Sequence, residues 1–182
     1  MKRLLMVTSL VLTACGGDAG SPGKTPAPAE TSKNEKAGEA TPAKAGEPAV
    51  KENVVAPYVA IQELLADDSV ADLAQIAARV VTAAESIQDQ AGIGDVVAGA
   101  GRVASPDIET ARVGFEKMSM GLITYLKAHP AEQEGYEVCH CPMAFNNKGA
   151  YWVQKKGEIL NPYHGKMMLR CGDHVEWPKA PG

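Results

Sequence analysis

Between Val54 and Ala128 apolar side chains return every three or four residues, the period of helices with one face turned to a core. Four helical stretches follow from this pattern. The first carries Val54, Tyr58, Ile61 and Leu65, with Pro57 in the first turn, where a missing N–H is tolerated. The second carries Val70, Leu73, Ile76, Val80, Ala84 and Ile87, with Asp68 or Ser69 as the expected cap. The third carries Ile93, Val96, Val97, Ala100 and Val103, diluted by Gly92, Gly94, Gly99 and Gly101. These glycines do not follow a strand and lack the Lys-Ser/Thr of a phosphate loop, so they read as a closely packed helix. The fourth, through Ile108, Ala111, Phe115, Met118, Leu122 and Tyr125, is a bundle-type seam. Ser105-Pro106-Asp107 starts it, with Ser105 as capping hydroxyl and Pro106 at the first helical position, and His129-Pro130 ends it. Short loops imply antiparallel neighbours. The expected fold class is all-α: a small up-and-down bundle of about four helices within 54–182, followed by an irregular Cys- and Met-rich C-terminal segment.

The chain opens on a different pattern. Met1-Lys2-Arg3 precedes an apolar run from Leu4 to Leu12, and Thr13-Ala14-Cys15 comes next. The run is far shorter than the ~20 residues a membrane span needs, and the whole reads as an export signal. Leu12-Thr13-Ala14-Cys15 resembles the lipobox of bacterial lipoproteins. That resemblance implies a signal peptide at 1–14, cleavage before Cys15 and lipidation of Cys15. The chain is then anchored to a membrane, facing the periplasm or the exterior, with Gly16 pointing to the outer rather than the inner membrane. Residues 15–53 are rich in Gly, Pro, Ala, Ser, Thr, Lys and Glu, and Val50 is their first large apolar side chain. A segment so poor in apolar surface is expected to be a disordered tether.

Composition shifts again after Pro130. Residues 54–138 hold 13 acids and 5 bases, whereas residues 139–182 hold 3 acids and 6 bases. The net charge of the chain is −4, and so small a basic excess in the tail argues against a nucleic-acid partner. No His-Glu-x-x-His, nucleophile elbow or phosphate loop is present, and the reading is of a protein that is not an enzyme. Cys139 and Cys141 also lack the Cys-x-x-Cys spacing of a thiol oxidoreductase.

The tail concentrates soft donors. Cys139-His140-Cys141-Pro142-Met143 is one arm, and His164 to His174, with Met167, Met168 and Cys171, is the other. Thiolate and thioether select Cu(I) over hard cations, and imidazole also suits copper. With Cys15 lipidated, an odd number of cysteines remains, so one thiol is unpaired and a metal would account for it. The expected ligands are Cys141, Met143, Met168 and Cys171, with Cys139, His140 or His164 assisting, and Cu(I) or Ag(I) as the ion. Two alternatives stay open. A Cys141–Cys171 disulfide could staple the tail to the bundle, giving an adaptor that binds a partner protein without metal. Zn(II) could take the three cysteines with one of His140, His164 or His174.

Residues 141–172 also resemble the signature of the bacterial domain-of-unknown-function family 3347. The matching positions are Cys141-Pro142-Met143-Ala144, Asn147, Gly149-Ala150-Tyr151-Trp152, Ile159, Asn161-Pro162-Tyr163, Gly165, Met168 and Cys171-Gly172, with the helix Ala111–Leu122 alongside. Such domains occur in periplasmic lipoproteins and fused to the adaptor subunits of copper and silver efflux systems. The resemblance implies a helical domain in metal buffering, transfer or efflux, with an efflux adaptor as partner and Cys141, Met143, Met168 and Cys171 as the core site. Cys139-His140 and His164 depart from the family pattern, and each departure adds a donor.

Overall fold

The computed structural model describes residues 53–182, so the expectations for the signal peptide, Cys15 and the tether lie outside the described residues. The helices are α1 (Val55–Ala66), α2 (Leu73–Ala84), α3 (Ile93–Val103) and α4 (Ile108–Ala128). Each helix buries a face the apolar period marks, including Tyr58, Ile61 and Leu65 on α1 and Phe115, Met118 and Leu122 on α4. Among the described residues no helix is long and apolar enough to cross a membrane.

Helix starts differ from the sequence reading in two places. Val70 stays outside α2 and is 37% exposed, because Asp68 and Asp72 take left-handed backbone angles that hold the chain in a turn until Leu73. The cap of α4 is Asp107 and not Ser105. Its carboxylate accepts the Thr110 amide at 2.8 Å, while the Ser105 hydroxyl accepts from the Asp107 amide at 3.1 Å in the preceding turn. Pro106 therefore lies before the helix rather than in its first turn.

The chain beyond α4 overturns the all-α expectation. The tail contains a three-stranded antiparallel sheet, so the domain is mixed α/β. Its strands are β1 (Tyr136–Cys141), β2 (Ala150–Lys155) and β3 (Asp173–Val175), in the order β2-β1-β3. The physical reason is burial on both sides. Val138, Cys139 and Cys141 of β1, and Trp152, Val153 and Gln154 of β2, are all buried, so neither strand shows the apolar-polar alternation of a half-exposed strand.

Two tyrosines join the sheet to the helices and close the outer edge of β2. The Val153 amide donates to the Tyr58 hydroxyl at 3.1 Å, and that hydroxyl meets Ser119 Oγ on α4 at 2.7 Å. The Tyr163 hydroxyl donates to the Tyr151 carbonyl at 2.6 Å. Tyr58 stacks on Phe115, and Tyr163 meets Trp152 edge-on, so the rings form one continuous aromatic layer. A Tyr58→Phe chain is expected to lose about 1–3 kcal/mol, because the buried Val153 N–H and Ser119 hydroxyl lose a partner while the ring stays. Urea unfolding checks this, and an unchanged midpoint would refute it.

Candidate metal centre

Strand geometry builds the site. Side chains alternate along β1, so Glu137, Cys139 and Cys141 share one face at intervals of about 6.8 Å. Register then supplies the partner: Cys139 lies opposite His174 on β3 and opposite Trp152 on β2. Cross-strand partners project to the same face, with Cβ atoms about 4.5–5.5 Å apart. Cys139 Sγ consequently comes within 3.9 Å of His174 Nδ1. Glu137 Oε2 is 3.1 Å from the same nitrogen. The three donor atoms lie within 4.8 Å of one another, and Glu137, Cys139 and His174 form a group that could hold a metal ion.

The carboxylate is held in place. Glu137 Oε1 accepts from Gln154 Nε2 at 3.0 Å and from the Gly157 amide at 3.1 Å, which leaves Oε2 turned to the imidazole. Gln154 is itself buried and accepts from Trp152 Nε1 at 3.0 Å. This is the outer layer of oriented partners on which metal ligands rely. Cys139 is buried, whereas His174 is exposed, so the group opens to solvent on the β3 side. Burial, with the Glu137 charge beside it, pushes the Cys139 thiol up to about 12. A bound cation would reverse that effect by supplying the positive charge a thiolate lacks there.

The donor set fits a metal. A tetrahedral zinc with ordinary bond lengths would hold sulfur and imidazole nitrogen about 3.6 Å apart. The observed 3.9 Å is a few tenths of an ångström longer, a small adjustment for the exposed His174 ring.

One repeat further along the face, Cys141 Sγ lies 3.6 Å from Cys171 Sγ, and both are free thiols. A disulfide would need about 2.0 Å, and a shared tetrahedral metal about 3.8 Å. Burial and the neighbouring Cys141 push the Cys171 thiol up. Asn161 fixes this arm: its amide nitrogen donates to the Cys171 carbonyl at 2.7 Å, and its oxygen accepts from the Tyr163 and His164 amides.

The remaining expected ligands are spread out. Met143 lies just past the end of β1 and is 47% exposed, and Met168 is half-buried, its carbonyl accepting from the Cys171 amide in a turn rather than a helix. His140 falls on the opposite face of β1, where it stacks on Tyr151 with ring centres 4.3 Å apart. His164 lies in a cleft with Phe145, Asn146 and Met167. His174, expected from sequence only as a zinc ligand, is the histidine brought to a thiol. Glu137 is absent from the sequence-based ligand set, and the signal for it is its alternation with Cys139 and Cys141, legible once 136–141 is read as a strand.

Comparison with protein-family models, with characterised proteins and with solved structures finds no match to this chain.

Proposed function

We propose that the domain binds a soft or borderline metal ion on the thiol face of β1, and that it buffers or passes on that ion at the surface of a bacterial membrane. The observation that carries the reading is the cross-strand approach of Cys139 Sγ and His174 Nδ1, 3.9 Å apart. Cu(I) is the favoured ion. Cys139, the Cys141–Cys171 pair and His174 make a row of soft and borderline donors along one face, suited to passing an ion between neighbouring ligands. The resemblance to family 3347 supports the same class of ion, with an efflux adaptor as recipient. The lipobox-like segment supports anchoring through Cys15. A second reading, Zn(II), is favoured by Glu137, because a carboxylate oxygen is a ligand for zinc and a poor one for Cu(I).

The test uses the full chain, reduced and free of oxygen. Cu(I) is titrated against a coloured chelator of known affinity, and Zn(II) separately against its own. The unaltered chain should compete stoichiometrically for one of the two. Cys139→Ser and His174→Ala should each weaken binding by more than the ~10–100-fold that loss of a supporting partner costs. Glu137→Gln separates the readings: it should weaken Zn(II) by at least about tenfold and leave Cu(I) nearly unchanged. A reduced chain that competes for neither ion would overturn metal binding and favour the Cys141–Cys171 disulfide adaptor.

A further inference from the structure

Cys141 and Cys171 come together through a break in a strand. The register of β1 with β3 pairs Cys139 with His174 and His140 with Asp173, and Cys171 lies three residues before His174. In an unbroken strand that odd spacing would send the Cys171 side chain to the face opposite His174, away from the thiols. Gly172 breaks the alternation. Its φ of 146° is a backbone conformation that side chains rarely adopt, and a Cβ there would lie 3.0 Å from the His140 carbonyl oxygen and 3.0 Å from the Trp152 ring. β3 begins only at Asp173, and Cys171 Sγ reaches 3.6 Å from Cys141 Sγ.

Both backbones are held. Cys141 is paired with Ala150 on β2, while the Cys171 carbonyl accepts from Asn161 Nδ2 at 2.7 Å and its amide donates to the Met168 carbonyl at 2.9 Å. Closing from 3.6 Å to the ~2.0 Å of a disulfide asks about 0.8 Å of each sulfur, a movement within reach of side-chain rotation. The two thiols differ in access: Cys141 is fully buried, whereas Cys171 is half-buried, with the exposed Arg170 before it. Cys139 is kept out of the pair. It is buried about 6.8 Å along the same strand from Cys141, where a bridge needs Cβ atoms about 3.8 Å apart.

We propose that Cys141 and Cys171 form a thiol–disulfide exchange site for small disulfides, in which Cys171 reacts first and Cys141 completes the bridge. The Cys171 sulfur, having given its proton to water, attacks one sulfur of the small disulfide. That S–S bond breaks, a mixed disulfide forms on Cys171, and the first small thiol leaves with a proton. Cys141 then loses its proton and attacks the Cys171 sulfur, and the second small thiol leaves protonated. The two protein sulfurs are oxidised by two electrons in all, and one small disulfide is reduced to two thiols. Cys139 stays reduced beside Glu137 and His174. The exchange needs no metal and stands apart from the metal reading. Only its consequence rests on that reading: closing the bridge withdraws two donors of the row and leaves the Cys139 group.

The test uses the full chain with Cys15→Ser, so that only the thiols of the domain react. The chain is reduced, stripped of metal with a chelator and exposed to oxidised glutathione. Remaining thiols are then blocked with N-ethylmaleimide in denaturant, and tryptic peptides are weighed by mass spectrometry. Peptides 128–148 and 171–179 should appear joined, with Cys139 as the one blocked cysteine of the pair. Cys141→Ser should lose the bridge and keep glutathione on Cys171. Cys171→Ser should leave the buried Cys141 mostly free over the time in which the parent closes. Glutathione held on Cys171 of the parent without a bridge, a bridge through Cys139, or three free thiols would overturn the proposal. Ion competition by the reduced chain is a separate measurement, so either reading can fail alone.

Discussion

An Arg112→Met chain is expected to be less stable than the parent by about 2–5 kcal/mol, and to hold the turn that carries His164 less firmly. Arg112 is buried on α4 and spreads its fork over its neighbours. Nε donates to the Pro162 carbonyl at 2.9 Å, one terminal nitrogen reaches the Leu65 carbonyl and Asp68, and the other reaches Glu109. Methionine fills a similar volume but supplies no donor, so the Pro162 carbonyl loses the Arg112 hydrogen bond, while the Leu65 carbonyl keeps the Asp68 amide at 3.2 Å. Asp68 is 38% exposed and can recover water, which keeps the expected loss below that of a fully buried pair. Arg112→Lys should recover only part of it, because one ammonium cannot reproduce the fork.

Acid should shrink the difference. Asp68 is held below its ordinary 3.8, first by the Lys166 amide and then by the Arg112 guanidinium. A carboxylate with a lowered folded pKa stabilises the fold above its unfolded pKa, and that stabilisation disappears as pH falls through the folded pKa. The parent should therefore lose more stability than Arg112→Met on going from pH 6 to about pH 3. Urea midpoints for both chains at the two pH values check the sign. A gap that is constant or widens in acid would show that Asp68 does not carry the interaction.

The helices were legible in sequence because each buries one stripe, and a single stripe leaves a period. The sheet was not. Tyr136–Cys141 has Glu137 and His140 where a simple alternation would put polar residues on one side, yet they fall on opposite faces, each with its own partner. Ala150–Lys155 is rich in residues that favour strands, but burial on both faces removes its alternation. β3 spans only Asp173–Val175, too short to carry any period. Without the strands the donors read as a linear cluster, in which His140 stands next to two thiols and Glu137 belongs to the preceding stretch. The register reverses both: it sends His140 to the far face and brings Glu137 and His174 to Cys139. The closeness of Cys141 and Cys171 was legible as a pairing, since both a metal and a disulfide require it.

The glycines of α3 support the second large effect. Gly99→Ala is expected to destabilise the fold by about 1–3 kcal/mol, whereas Gly94→Ala and Gly101→Ala should be neutral or stabilising by up to about 1 kcal/mol. All three changes improve intrinsic helix propensity equally, so any difference among them is packing. A Cβ on Gly99 would lie 2.6 Å from the Gly114 carbonyl oxygen and 2.6 Å from the Met118 amide nitrogen, both backbone atoms of α4 that no rotamer change can move. At Gly94 and Gly101 a Cβ would meet nothing within 4 Å. Gly121 faces Gly92 across the same contact, and there a side chain would run into backbone again. The helices touch along these small residues, and Gly99→Ala can be accommodated only by pushing α3 away from α4. Since α3 packs on α2 and α4, Gly99→Ala should lower the urea midpoint and leave the metal affinity proposed for the β1 thiol face unchanged in the folded chain. A loss of affinity at unchanged stability would mean instead that the α3–α4 contact positions the thiol face.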